Sequence, residues 1–223
     1  PADHDLPTMA AIAIQRLRVA YKGPASHAAA APWDGITALA AAVLGYVNVA
    51  ALRQHIRPDE RVHGVFTEAG EQANVVPRRA AAEWFVRSPD IDGLERLKER
   101  VLRCLRAGAD AAGCEMDHEW LDPPYEDLLD DEWLLSRWTV HSSSLGRRPA
   151  DPSVVGAVVG STDMGNVSHA VASIHPMIAV APPGVAIHTP EFATHARGSG
   201  GDSAILDGAK ALAGVVLDRW AAG

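Results

Sequence analysis

The chain has 223 residues, 48% of them hydrophobic and 22% charged, a globular composition whose length suits one large domain or two small ones. Its 28 acidic against 20 basic residues, a net charge of −8, exclude the basic footprint of a nucleic-acid partner and give no attraction to an anionic membrane. No apolar run approaches the roughly 20 residues of a transmembrane span, and two cysteines, Cys104 and Cys114, make neither a disulfide framework nor a cysteine-rich zinc site. Free thiols in a reducing, cytoplasmic compartment are expected.

Residues 1–9 carry two prolines and read as a connection. Ala10 to Lys22 alternates, with Leu17, Val19 and Tyr21 on one face and Arg16 and Arg18 on the other, which predicts a half-buried strand ended by Gly23-Pro24. Asp34 then caps a helix whose Ile36, Leu39, Val43, Leu44, Val47 and Leu52 form an apolar stripe, with Pro58 beyond its end. Val62 to Phe66 reads as a second strand and Arg79 to Arg87 as a third, with Trp84 and Val86 on one face. Ser88-Pro89-Asp90 caps a second helix with Leu94, Leu97, Val101 and Leu105 inward. Gly113 closes it, and Glu115 to Leu121 is a fourth strand. This order predicts a ferredoxin-like split βαβ domain over residues 10–121, a four-stranded antiparallel sheet with two helices on one face.

Asp122-Pro123-Pro124 reads as a boundary, and the acidic run 126–132 as a solvated helix start. A helix follows from Asp130 to about His141 with Trp133, Leu134 and Trp138 inward, then a loop over 146–153. Short apolar strands are expected at Val154–Val159 and Met177–Val180. The last helix runs from about Asp202 to Ala221 and carries Ile205, Ala209, Leu212, Val216 and Trp220. These pieces leave a sheet face uncovered, so residues 1–9 and 122–223 read as part of a larger α/β domain.

Four loop stretches place polar residues between patterned elements. In 23–35, His27 among small residues suits either a hydrogen-bond donor to a substrate carbonyl or a solvent-exposed loop histidine. In 70–79, Asn74 with the later Arg87 suits either an amino-acid site or a turn and a surface ion pair. The loop 160–170, with Ser161, Thr162 and Asp163 between glycines, suits a cleft lining and has neither Walker nor dinucleotide spacing. In 186–203, His188 suits a metal ligand, and the glycines around Gly200 suit an anion-binding nest at a helix N-terminus.

In this order the stretches resemble the zinc-dependent amidohydrolases and metallopeptidases that include aminoacylase, glutamate carboxypeptidase and aminobenzoyl-glutamate hydrolase. The matching residues are Gly23, Ser26, His27, Ala28, Pro32 and Gly35; Asn74 to Pro77; Arg87; Gly160 to Gly165; and His188 to Phe192. RVHG at 61–64, GNVS at 165–168 and IHP at 174–176 are similar to a subgroup of basic-amino-acid dipeptidases and bacterial amidohydrolases. The resemblance implies a lid and dimerisation domain followed by the end of an α/β zinc-peptidase domain, and a homodimer through the lid. It implies that His27 stabilises an oxyanion in the partner subunit's site. Asn74, Arg87, Ser161, Thr162 and Gly200 would bind substrate, and His188 would be a ligand of one of two zinc ions.

The family pattern also requires a His-x-Asp pair, a bridging aspartate and a Glu-Glu pair ahead of the lid. Neither His-x-Asp nor Glu-Glu occurs in these 223 residues. The chain, which opens on Pro1, therefore reads as the second part of a longer enzyme. It is expected to be inactive and not to hold zinc by itself, since such a site needs at least three protein ligands and a water. The alternative reading is a non-catalytic dimerisation module.

Overall fold

The computed structural model describes residues 3–151 and 159–223. The chain divides into two compact units, Ile12–Asp127 and Pro1–Ala11 with Leu128–Gly223. After a short strand β1 (Ala10–Ala11), the first unit holds β2 (Ala13–Lys22), α1 (Ala38–Arg53), β3 (Arg61–Glu68), β4 (Arg79–Ser88), α2 (Ile91–Ala112) and β5 (Glu115–Tyr125). The sheet order is β3-β4-β2-β5 with every pair antiparallel, the split βαβ plan that the patterning predicts.

The two-residue period of the strands sorts their side chains. Leu17 lies opposite Trp84, and Val19 opposite Ala82. Together with Tyr21, Ala80 and Val86 they are buried in one cluster with Leu94, Leu97, Val101 and Leu105 of α2. The other face carries Ile14, Arg16, Arg18, Glu83, Phe85 and Arg87, placed by the same register. α2 starts and stops where its chemistry directs. Asp90 Oδ1 accepts from the Gly93 N–H at 2.6 Å, and Gly113 ends it in the left-handed conformation at φ 73°.

α1 corrects the expected stripe. Its buried residues are Ala38, Ala41, Ala42, Gly45 and Val49, whereas Val43, Leu44 and Val47 are 44%, 40% and 55% exposed. The reason is backbone approach. A Cβ at Gly108 would stand 2.5 Å from both the Ala41 carbonyl and the Gly45 nitrogen, and one at Gly45 would stand 2.6 Å from Tyr21 Oη. At that separation α1 can turn only small residues toward α2, and its larger apolar residues point outward. The cap is Thr37, whose Oγ1 accepts from Ala40 N–H, while Asp34 lies in a short 3-10 turn. β5 also runs past the boundary expected at Asp122, to Tyr125.

The second unit contains β1, α3 (Glu132–Ser144), β6 (Val159–Gly160), α4 (Met164–Ala170), α5 (Pro190–Ala196) and α6 (Ser199–Ala221). β1 pairs with β6 in parallel. The strand expected at Val154–Val159 otherwise lies outside the described residues. No strand forms at Met177–Val180, where Met177 makes a single bridge to Leu6. In α3, Trp138 is buried but Trp133 is 39% exposed, against expectation. In α6 the buried residues are Gly201, Ala204, Ala211 and Val215, while Ile205, Leu212, Val216 and Trp220 are exposed and Ala209 with them. Apolar residues run nearly around α6, so periodicity cannot select its face. The small side is chosen because a Cβ at Gly214 would meet the His141 ring at 2.6 Å. Asp218 joins α6 to α3, accepting from Arg137 Nε at 2.6 Å and contacting His141 Nε2 at 2.7 Å. No helix among the described residues is long and apolar enough to cross a membrane.

Gly108→Ala tests the α1–α2 contact. Helix propensity alone favours alanine by about 1 kcal/mol, while forcing a methyl group against backbone costs about 1–3 kcal/mol. We expect net destabilisation by chemical denaturation, and a stabilised variant would contradict the close crossing.

Candidate functional site

Two loops meet at the end of the sheet that carries Lys22 and Arg79. His27 and Val75 form an antiparallel bridge, Ala28 N–H donates to the Asn74 carbonyl at 3.0 Å, and Val76 N–H donates to the Ser26 carbonyl at 2.9 Å. Gly35 makes this possible, since a Cβ there would lie 2.4 Å from Ser26 Oγ. The Ile36 N–H to Pro24 carbonyl bond and the Ala38 N–H to Pro77 carbonyl bond, 3.0 and 2.8 Å, tie both loops to the start of α1. His27 and Asn74 are thus neighbours on a short ladder, both exposed. His27 Nδ1 accepts from the backbone N–H groups of Ala29 and Ala30 at 3.2 and 3.1 Å. An acceptor Nδ1 fixes the neutral ring in the Nε2–H tautomer and leaves Nε2 as a donor.

Arg87 is not part of that cluster. It lies eight residues along β4 from Arg79, roughly 26 Å at about 3.3 Å per residue. Its guanidinium is half-buried, stands 5.9 Å from the Phe85 ring centre, and has a pKa lowered by burial. Its Nε is buried without a hydrogen-bond partner. Arg16, Arg18 and Arg79 all have carboxylate partners. No carboxylate pairs with Arg87 among the described residues. Beside it, His63 stacks on Phe85 with ring centres 5.4 Å apart and planes 12° from parallel. Burial holds the His63 pKa below its ordinary value, and the charges of Arg87 and Arg53 lower it further.

The other sequence candidates lie in the second unit. Thr162 shapes the entry to α4, its carbonyl accepting from Gly165 N–H at 3.1 Å and its Oγ1 from Met164 N–H at 3.3 Å. Ser161 beside it is half-buried and Asp163 is exposed. Gly200 lies in the first turn of α6, where a Cβ would stand 2.9 Å from the Val180 carbonyl. At Gly201 a Cβ would stand 1.9 Å from that of Ala196. Close backbone approach accounts for glycine at both positions. His188 is exposed and has φ 63°, an uncommon conformation for a residue with a Cβ. It precedes Thr189, whose Oγ1 accepts from Phe192 N–H at 3.2 Å and caps α5. Among the described residues no group of three or more His, Cys, Asp and Glu side chains is arranged to hold a metal ion. His188 alone does not fit a zinc centre, which takes at least three protein ligands.

Sequence reasoning does not find the ladder between residues 26–28 and 74–76, nor the His63–Phe85 stack. Alternation places Phe85 opposite to Trp84 on the sheet, but the partner in the next strand depends on register, which local pattern does not give.

A four-stranded sheet with two covering helices, loops gathered at one end and a second α/β unit is the architecture of amidohydrolase-family domains. A putative aminohydrolase from methicillin-resistant Staphylococcus aureus superposes with a TM-score of 0.69 at 19% identity, covering 97% of this chain and 54% of that one. A mouse Xaa-Arg dipeptidase is 35% identical over 219 residues, 98% of this chain and 51% of its own length. The human Xaa-Arg dipeptidase is 33% identical over 201 residues, 90% and 46% respectively. The chain spans about half the length of the curated relatives it matches. No family model matches it. The chain resembles the amidohydrolases and peptidases to which these proteins belong.

Two measurements check the local geometry. Nitrogen-15 spectra of the histidines should give the Nε2–H tautomer for neutral His27, and the Nδ1–H tautomer would contradict the two backbone bonds. Because the folded pKa of His63 lies below its ordinary 6.5, the unfolded chain takes up that proton first. His63's contribution to stability is then full above 6.5 and falls as the pH drops below it. His63→Phe should flatten that part of a denaturation profile, and an unchanged slope would contradict the assignment.

Proposed function

We propose that the complete protein is a metal-dependent amidohydrolase that cleaves the amide bond of a dipeptide or N-acyl amino acid. The observation that carries this reading is the His27 ring. Its tautomer is fixed by two backbone donors, and its Nε2–H is offered to solvent beside Asn74. A preorganised donor of this kind stabilises the negative charge that develops on a carbonyl oxygen during acyl transfer. In this reading Asn74 binds the substrate carbonyl, Arg87 its carboxylate, and Ser161, Thr162 and Gly200 line the cleft. His188 is one ligand of a zinc site completed by residues beyond this chain. The chain alone is then neither a zinc protein nor an active hydrolase, and the compartment is cytoplasmic.

Since His27 and Arg87 stand at opposite ends of one sheet, they serve one substrate only if they come from different subunits. The two sheet edges favour such a dimer. β5 carries Asp117, Glu119, Asp122, Pro123 and Pro124, which block addition of a strand. β3 carries no proline, and its Val65 and Phe66 are 63% and 38% exposed. Val43, Leu44 and Val47 of α1 add further apolar surface to the same unit. Two-fold antiparallel pairing of β3 with its copy sets the Glu68 end of one strand beside the Arg61 end of the other. The loops holding the partner subunit's His27 and the partner subunit's Asn74 then approach Arg87, about 10 Å away across two strands.

The test is zinc content and hydrolysis for the complete coding sequence on a basic dipeptide and an N-acetyl amino acid, wild type beside His27→Ala. We expect zinc in both, and a rate about 10²–10³-fold lower in the variant, the usual effect of deleting an oxyanion donor. A wild type that binds no zinc and cleaves neither substrate would contradict the hydrolase reading and favour a dimerisation module. The 223-residue chain alone should cleave neither.

A further inference from the structure

The sheet itself holds His63 beside Arg87. His63 pairs with Phe85 across β3 and β4, and Arg61 pairs with Arg87. Gly64 lets the two strands press together here, since a Cβ there would stand 2.5 Å from the Glu83 carbonyl and 2.6 Å from the Trp84 ring. On the ionic face, Phe85 then serves both neighbours. The His63 ring stacks on it at 5.4 Å, and the Arg87 guanidinium lies 5.9 Å from its centre. Diagonal neighbours in an antiparallel pair stand about 7–8 Å apart, within reach of long side chains. A small anion bound by Arg87 is therefore within reach of His63.

Both side chains have unused donors. The Arg87 Nε is buried without a hydrogen bond, and among the described residues neither ring nitrogen of His63 makes one. The charges around the ring are mostly positive. Arg53 of α1 donates to the Val62 carbonyl, Arg61 shares the strand, and Arg87 lies on the next one. The carboxylates of the neighbouring elements are engaged elsewhere: Glu83 with Arg18, Asp122 with Arg16, and Glu60 with the Arg57 N–H. Burial of the ring disfavours a proton on His63, and the charges of Arg87 and Arg53 add to that cost. An anion held by Arg87 reverses the balance. It offsets the guanidinium charge that repels the proton, and it gives the imidazolium N–H an acceptor.

We propose that His63 is a second recognition residue of the Arg87 subsite, one that donates to the bound carboxylate and takes up a proton as that carboxylate binds. The proposal rests on the amidohydrolase reading given above and adds a pH dependence to it. The free ring is mostly neutral near neutral pH, and the ring beside a bound carboxylate holds its proton to higher pH. Affinity for the carboxylate therefore rises as the pH falls through the histidine range.

The test is calorimetric titration of the 223-residue chain with N-acetylglycine between about pH 8 and about pH 5.5, in buffers of unlike ionisation heat, which counts the protons taken up. Affinity should rise about tenfold across that range, with proton uptake on binding. His63→Phe keeps a ring against Phe85 and removes the ring nitrogens, so its affinity should stay flat and its proton count should fall to zero. His63→Gln, which retains a donor that does not titrate, should give the same flat profile if the phenylalanine variant does not fold. Arg87→Gln should bind at no pH in the range. A histidine that only packs on Phe85 would leave the proton count of the His63 variants equal to wild type. That result, binding that survives Arg87→Gln, or no saturable binding by wild type would overturn the proposal. If the linkage holds while the complete protein hydrolyses nothing, the hydrolase reading fails and the proton-linked carboxylate site stands.

Discussion

The antiparallel pairing of β2 with β4 governs the rest of the first unit. Its register sets Leu17 against Trp84 and Val19 against Ala82, so one face of the sheet is apolar and must be covered. The same register sets Arg16 against Phe85 and Arg18 against Glu83, so the other face is ionic and aromatic. A slip of one residue would exchange the faces, burying arginines and exposing the core. The helices therefore have only one side on which to pack, and the loops that carry His27 and Asn74 can emerge only at the sheet's ends.

Close helix packing has a second consequence. α1 meets α2 through Ala41, Gly45 and Gly108, so its branched residues have no place in the core. They line the outer surface of the unit that also presents β3, an edge strand paired on one side only. The sacrifice of large side chains inside thus supplies apolar surface outside. An exposed apolar surface of this sort marks an association site more often than an accident of composition. The last helix, α6, exposes Ile205, Leu206, Leu217 and Trp220 in the same way.

Much of this was legible in the sequence, and the failures have physical causes. The strands and α2 follow from alternation, from the stripe Leu94, Leu97, Val101 and Leu105, and from the Asp90 and Gly113 caps, because each has a clear period and matching ends. The apolar stripe of α1 does not give its buried face, and none can be read for α6, because hydrophobicity does not reveal when two backbones touch. There, glycine and alanine are the buried residues. The candidate site residues stand out by motif, but their arrangement does not. The pairing of His27 with the Asn74 loop, and the separation of both from Arg87, depend on strand lengths and register that no single loop encodes.

The central claim is that one site is assembled from His27 and Asn74 of one subunit and Arg87 of its partner. Mixing tests it most directly. Complete proteins carrying His27→Ala and Arg87→Gln, each inactive alone, are unfolded together, refolded and assayed. Random pairing makes half of the dimers mixed, each with one intact site, so about a quarter of wild-type activity should return. No recovery from a mixture shown to contain mixed dimers would mean that both residues act within one chain, and the account would be wrong.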